Sequence, residues 1–334
     1  MIRLDATIEI DDLRAIPALV RDAEAVGIHG LWFNEIAHDP FLEAALAVEH
    51  TTRASVGTAI ALAFVRSPTA LAYTAWDLAR LSGGRFLLGL GTQVRAHVER
   101  RFGMAWEQPA ARLRDAVAAI RAVWAAWRTR TPLRYRGPFY SLSLMTPFFT
   151  PPPFDGTIPI YLAAVNPVMC RLAGEIADGI HIHPLHTAPY LRDVVLPAVD
   201  RGLSRSGRTR AEFTVASGVF TVADHGAGRD RAIAEVRQSI AFYASTPAYR
   251  RVLAHHGWAE AGEQLSRLAA AGRWTEMPAV VSDEMLETFA VIAEPESIVE
   301  RLRARYSGLL DRLSPYRRFD PLDRLWVDLA RGLA

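Results

Sequence analysis

A chain of 334 residues, half of them hydrophobic and 22% charged, has enough apolar content for one large α/β barrel or two ordinary domains. Its 38 basic residues stand against 36 acids for a net charge of +2, so no cationic face for nucleic acid is expected. No apolar run approaches the ~20 residues that a membrane span requires, and the opening MIRLDATIEI lacks the pattern of a signal peptide, so a cytoplasmic protein is expected.

Short apolar runs alternate with amphipathic segments of helical length, the pattern of βαβ units on a parallel sheet. Ile2–Ile8 reads as the first strand, with Asp11 or Asp12 capping a helix that runs to Val26. Gly30–Phe33 is the second strand and Phe41–Arg53 its helix; SVGTAIALAF is the third, followed by a helix that Pro68 opens. Phe86–Leu90 is the fourth, with a long helix over Ala110–Trp127. Residues 128–157 break this rhythm with prolines and aromatics, and a loop of that length inside a compact domain predicts a lid, placed over the substrate at 139–149. The alternation then resumes with IPIYLAAV, GIHIH and Phe213–Val222 as strands five to seven. Residues 245–286 read as extra helices, and TFAVIAEPESIVERLRARY as strand eight with its helix. Eight strand–helix pairs predict a single (β/α)8 TIM barrel over 1–334 with insertion segments.

Chemistry in such a barrel sits where strands end at their C-terminal rim. Gly89-x-Gly91 after strand four begins like a dinucleotide loop, but Val94 stands at the third glycine position and the unit is the fourth, not the first. These residues instead form a rim where a flat ligand can lie close to the backbone. At the end of strand two, NEIAHDPF brings Glu35, His38 and Asp39 to the rim: His38 suits proton transfer near neutral pH, Glu35 could orient it, and Asp39 can cap the next helix. RAHVERRF places His97 and Arg101 on one helical face, either as a solvated turn or as a contact for an anionic tail. HIHPLH aligns His181 and His183 on one face of strand six, which raises a metal site; an amidohydrolase barrel, however, carries H-x-H on its first strand and a lysine, and this chain has no lysine. The missing amine also excludes Schiff-base chemistry, and the lone Cys170 allows no internal disulfide.

Taken in order, GLWFNEIAHDPF, VGTAIALAFVRSP, GGRFLLGLGTQ, IPIYLAAVNP and AGEIADGIHIH resemble the bacterial luciferase-like superfamily, across essentially residues 1–310. Within it they are most similar to the branch that uses the deazaflavin coenzyme F420, and HVERRFGMAW with LMTPFFTP resembles an actinobacterial subgroup of F420-dependent oxidoreductases. The resemblance implies a non-prolyl cis peptide at Ala59–Ile60 behind the cofactor ring. It also implies cofactor contacts at Gly91, Thr92 and Gln93 after strand four, and a phosphate on the turn of Ala164, Val165 and Asn166, with the helix from Pro167 aimed at it. His38 matches the family's active-site histidine, although several relatives carry theirs directly after the acid, where Ile36 stands here; Glu35 takes the acid's place. Asp39 and His97 complete the expected cofactor contacts. The implied activity is hydride transfer between the deazaflavin and a small organic substrate, in a protein expected to be a homodimer. Two other functions fit the same barrel: an FMN-dependent monooxygenase, and a non-catalytic barrel that only binds a flavin.

Overall fold

The computed structural model describes residues 2–333. Eight parallel strands close into a barrel: β1 Arg3–Thr7, β2 Gly30–Phe33, β3 Ser55–Thr58, β4 Phe86–Gly91, β5 Ile160–Ala164, β6 Gly179–Ile182, β7 Thr214–Val219 and β8 Arg312–Pro315. Each pairs with its neighbour in sequence, and β8 returns to β1 through Arg3↔Arg312 and Leu4↔Leu313. The return helices are α1 Ile16–Val26, α2 Pro40–Glu49, α3 Pro68–Leu81, α4 Pro109–Thr129, α5 Pro167–Ile176 and α6 Leu196–Arg205. Their starts are written locally. Asp39, Ser67 and Asn166 each accept a backbone N–H of the first turn, and a proline follows each of them. The TIM barrel expected from the strand count is therefore present.

The eighth strand is not the expected one. Val291–Ile292 forms only a two-residue ladder with Thr221–Val222, beyond the end of β7. Between these pieces the chain makes a helical excursion, beginning with α7 Gly226–Ala244 and ending at Phe289. Helix α8, Ile298–Tyr306, is thus the return from strand seven, and Arg312–Pro315 closes the barrel before the final helix α9, Arg324–Leu333. The reason lies in the sequence RLSP: alternation turns Arg312 and Ser314 inward, so the strand lacks an apolar signature.

Inside the barrel, the inward residues stack in layers. At the lower layer, Arg312 Nε and Nη2 donate to Asp5 at 2.7 and 2.8 Å, both side chains being at most 2% exposed. A β-carbon at Gly30 would lie 2.3 Å from Arg312 Nη2 and 2.6 Å from Asp5 Oδ1, so this position must be glycine for the pair to fit. Trp32 Nε1–H donates to Asp5 at 2.8 Å. Above the pair, Trp32, Leu87, Tyr161 and His181 pack into a floor, with Trp32 and His181 ring centroids 4.7 Å apart. The barrel is a filled core with a mouth above that floor.

Residues 128–157 do not cover the mouth. Asp115 of α4 accepts the Tyr135 hydroxyl at 2.5 Å and the Phe139 and Tyr140 amides at 2.7 and 2.9 Å, which fixes a hairpin of Tyr135–Arg136 with Ser141–Leu142 to that helix. Farther on, Met145 meets Trp127 Nε1, Tyr73 donates to the Phe149 carbonyl, and Trp76 Nε1 donates to the Pro152 carbonyl at 3.0 Å. These partners lie along α3 and α4, so the expected lid over 139–149 is corrected to a strap on the barrel's outer flank.

Candidate functional site

Three short segments shape the rim around β2 and β3. The Ala59–Ile60 peptide is cis, as the family resemblance implied. Glu35 N–H donates to the Ile60 carbonyl at 3.4 Å, and Leu62 N–H donates to Glu35 Oε2 at 2.7 Å, so the end of β2 and the exit of β3 hold each other. Arg66 completes the arrangement. Its Nη1 lies 2.8 Å from both Glu35 oxygens, and its Nη2 lies 2.7 Å from Asp39 Oδ2. Burial opposes the Arg66 charge, yet the bonds to the two carboxylates outweigh it and raise the guanidinium above its ordinary range.

This geometry changes the roles expected for the rim acids. Glu35 spends its carboxylate on Arg66 and Leu62, not on orienting His38. Asp39 caps α2 by accepting from Phe41 N–H at 2.8 Å while it pairs with Arg66. His38 is half-buried and has no hydrogen-bond partner among the described residues. Arg66 escaped the sequence reading; its signal is an arginine just before the Ser67–Pro68 helix start, opposite two acids at the end of the previous strand.

One turn into α2, Glu43 is 4% exposed and its Oε2 has no partner among the described residues. Burial, with the Asp39 charge second, pushes its carboxyl up from 4.5 to about 7. The folded form therefore keeps a proton that the unfolded chain loses above pH 4.5. Stability from this group is complete below that pH and declines as pH rises toward about 7. Glu43→Gln is expected to match the parent's melting temperature at pH 4 and to exceed it at pH 8; equal melting at both would contradict the assignment.

The exit of β4 carries Gly91, Thr92 and Gln93. Gln93 adopts a left-handed conformation, φ 51°. The carbonyls of Thr92 and Gln93 both accept from Trp106 Nε1, at 3.2 and 3.1 Å, which anchors the turn. Gly91 faces Ile60: a β-carbon there would lie 2.6 Å from its Cδ1. His97 is exposed on the short helix Arg95–Arg100, and Arg95 stacks over Trp106 with its Cζ 5.3 Å from the ring centroid.

On the far side, Ala164, Val165 and Asn166 lead into α5. The helix N-terminus is already satisfied: Pro167 has no N–H, and Asn166 Oδ1 accepts from Val168 and Met169 at 3.1 and 3.0 Å. An anion at this turn would therefore meet the Asn166 amide group and not free helix amides.

The three histidines of HIHPLH go separate ways. His181 belongs to the floor, where burial first and Arg312 second push it down to about 3. His186 Nδ1–H donates to the His183 carbonyl at 3.0 Å, and the ring packs toward Tyr306. His183 continues the inward alternation of β6 into the mouth, against Tyr243 and Tyr249 with ring centroids 4.4 Å away in both cases. Among the described residues, no group of three or more His, Cys, Asp or Glu side chains gathers as metal ligands. Tyr243 comes from the end of α7 and Tyr249 from the turn after it, so the excursion after β7 is what overhangs the mouth. Across from them, Asn34 continues the inward alternation of β2, and its side chain makes no hydrogen bond among the described residues.

The chain resembles known proteins along most of its length. The sequence profile of the family described as luciferase-like monooxygenase matches residues 2–312. An uncharacterized protein of Mycobacterium tuberculosis is 46% identical over 317 residues, covering 94% of this chain and 93% of its own. A 5,10-methylenetetrahydromethanopterin reductase of Archaeoglobus fulgidus is 29% identical over 292 residues, covering 85% and 83%. Among solved structures, the coenzyme F420-dependent tetrahydromethanopterin reductase of Methanopyrus kandleri superposes with a TM-score of 0.79 at 21% identity, covering 99% of this chain and 98% of that one. No helix among the described residues is long and apolar enough to cross a membrane.

Proposed function

Because the chain belongs to the luciferase-like monooxygenase family, we propose that this enzyme is an F420-dependent oxidoreductase that moves a hydride between the deazaflavin ring and a small organic substrate. The observation that carries this reading is the mouth itself. A packed floor of Trp32, Leu87, Tyr161 and His181 lies beneath a ring of mostly small or neutral groups at Asn34, Ala59, Ala163 and His183. Such a surface fits a flat, uncharged heterocycle: Asn34 offers an unpartnered amide to its polar edge, and Ala59 and Ala163 leave room for its face. Gly91, Thr92 and Gln93 would line one edge, with the Ala59–Ile60 backbone behind the ring. The Ala164–Asn166 turn would hold the phosphate through the Asn166 amide. The exposed His97, Arg95 and Arg100 suit the anionic tail that extends from the coenzyme.

The bound deazaflavin supplies two-electron hydride chemistry that the protein's side chains lack. The chain's own part is to position and to handle one proton. In this reading His38 carries that proton, since its imidazole is partly accessible and free of competing partners. Glu35, locked by Arg66, holds the rim on which His38 stands. Tyr243 and Tyr249 keep water from one side of the mouth. A homodimer would cover the groove between α2 and α3, where Leu42 and Leu81 are 59% and 60% exposed.

His38→Ala is expected to lower turnover with reduced F420 by about 10²-fold while leaving F420 affinity within a few-fold. Near-normal turnover in an anaerobic assay that follows deazaflavin absorbance would remove His38 from this role.

A further inference from the structure

We propose that the Nε2–H of His183 anchors the oxygen of the substrate, and that the substrate is a small neutral carbonyl compound or alcohol with a flat aromatic or apolar body. The inference rests on the hydride-transfer reading of the same mouth and adds a substrate class to it.

The tautomer follows from geometry. Leu185 N–H donates to His183 Nδ1 at 3.0 Å, so that nitrogen is the acceptor and the ring proton sits on Nε2. The Nε2 atoms of His181 and His186 are sealed in the interior without partners, whereas His183 Nε2 is neither sealed nor bonded among the described residues. Of the three histidines, His183 alone presents an unpartnered ring N–H to the mouth. Burial, with His186 second, pushes its pKa down to about 3, so it is a neutral donor through the physiological range.

The walls define the rest of the ligand. Tyr249 lies at 31° to the His183 ring and Tyr243 at 78°, while the Tyr243 and Tyr316 hydroxyls bond to each other. Flat aromatic surface therefore flanks the His183 ring N–H. The titratable groups facing this wall are His186, the three phenols and Glu9, whose charge helps raise Tyr316. Arg317, which follows Tyr316 in the chain, is paired with Asp224 and Asp323. A carboxylate or phosphate would meet Glu9 without a counter-charge, but a carbonyl oxygen needs only the N–H.

The test titrates benzaldehyde, benzoate and toluene into the full-length protein, reading affinity by calorimetry and the histidine ring by nitrogen-15 NMR. Benzaldehyde should bind and shift the His183 Nε2–H signal, and its affinity should fall about tenfold in His183→Phe. His183→Gln, which restores an N–H donor, should recover part of that loss, and its melting temperature checks that the fold survives. Toluene should bind the parent and His183→Phe equally. Equal benzaldehyde affinity in the parent and His183→Phe, tighter binding of benzoate, or no binding of benzaldehyde to the parent would overturn the proposal. F420 titrated into the same samples separates the two readings. Normal F420 binding without the benzaldehyde pattern removes only the His183 anchor; the benzaldehyde pattern without F420 binding removes the hydride-transfer reading and leaves the anchor in place.

Discussion

Arg312→Met is expected to destabilise the protein by about 3–5 kcal/mol, because it leaves the Asp5 carboxylate buried with the Trp32 N–H as its remaining strong donor. The pair ties the last strand to the first at the bottom of the barrel, so its loss acts at the point where the sheet closes. Adding Asp5→Leu removes the orphaned charge, and the double variant should be more stable than Arg312→Met alone. Urea unfolding of the parent, both single variants and the double variant measures this coupling. A double variant as unstable as the sum of the singles would show that the two side chains act independently, against the geometry. The floor should respond as well: the Trp32 N–H loses its acceptor when Asp5 is replaced, and its fluorescence should change.

The second large effect belongs to the rim. Arg66→Met should cost about 3 kcal/mol, because Glu35, whose side chain is 6% exposed, keeps only the Leu62 N–H while its charge remains. Activity should fall together with stability, since the loop bearing His38 loses its tie to the exit of β3. Arg66→Lys keeps the charge but cannot span Glu35 and Asp39 with a planar fork, so it should recover only part of the loss. Full stability in Arg66→Lys would mean that charge alone, without the bidentate geometry, holds the rim.

Much of the barrel was legible because its signals are local. Asp39, Ser67 and Asn166 announce helix starts, and the apolar runs of β2 and β4 are bounded by turns, so their elements appear where the pattern puts them. The sequence hides strand eight because Arg312 serves a buried ion pair, which gives RLSP a polar pattern, whereas FAVIA carries the β-like one. The 128–157 strap reads as a lid from composition, which reports an aromatic-rich loop but not what it packs against. Tyr73, Trp76 and Trp127 on α3 and α4 were the complementary clue.

The candidate site divides in the same way. The end of β2 is legible from the strand pattern and its polar exit, whereas the cis peptide follows only from the resemblance and lies where that implies. Arg66 and Asn34 were not, because their importance depends on through-space partners: two carboxylates for one, the absence of any hydrogen bond for the other. His183 was noticed in H-x-H, but the pattern alone suggests a metal pair. Only the aromatic floor around His181 and the tyrosines around His183 separate the two rings.

On the proposed function, this mouth takes a deazaflavin in preference to a flavin. Parallel titrations of the purified protein with F420 and with FMN, followed by cofactor fluorescence, test it most directly. F420 should bind saturably and at least about tenfold more tightly than FMN; tighter binding of FMN, or no binding of F420, would contradict it.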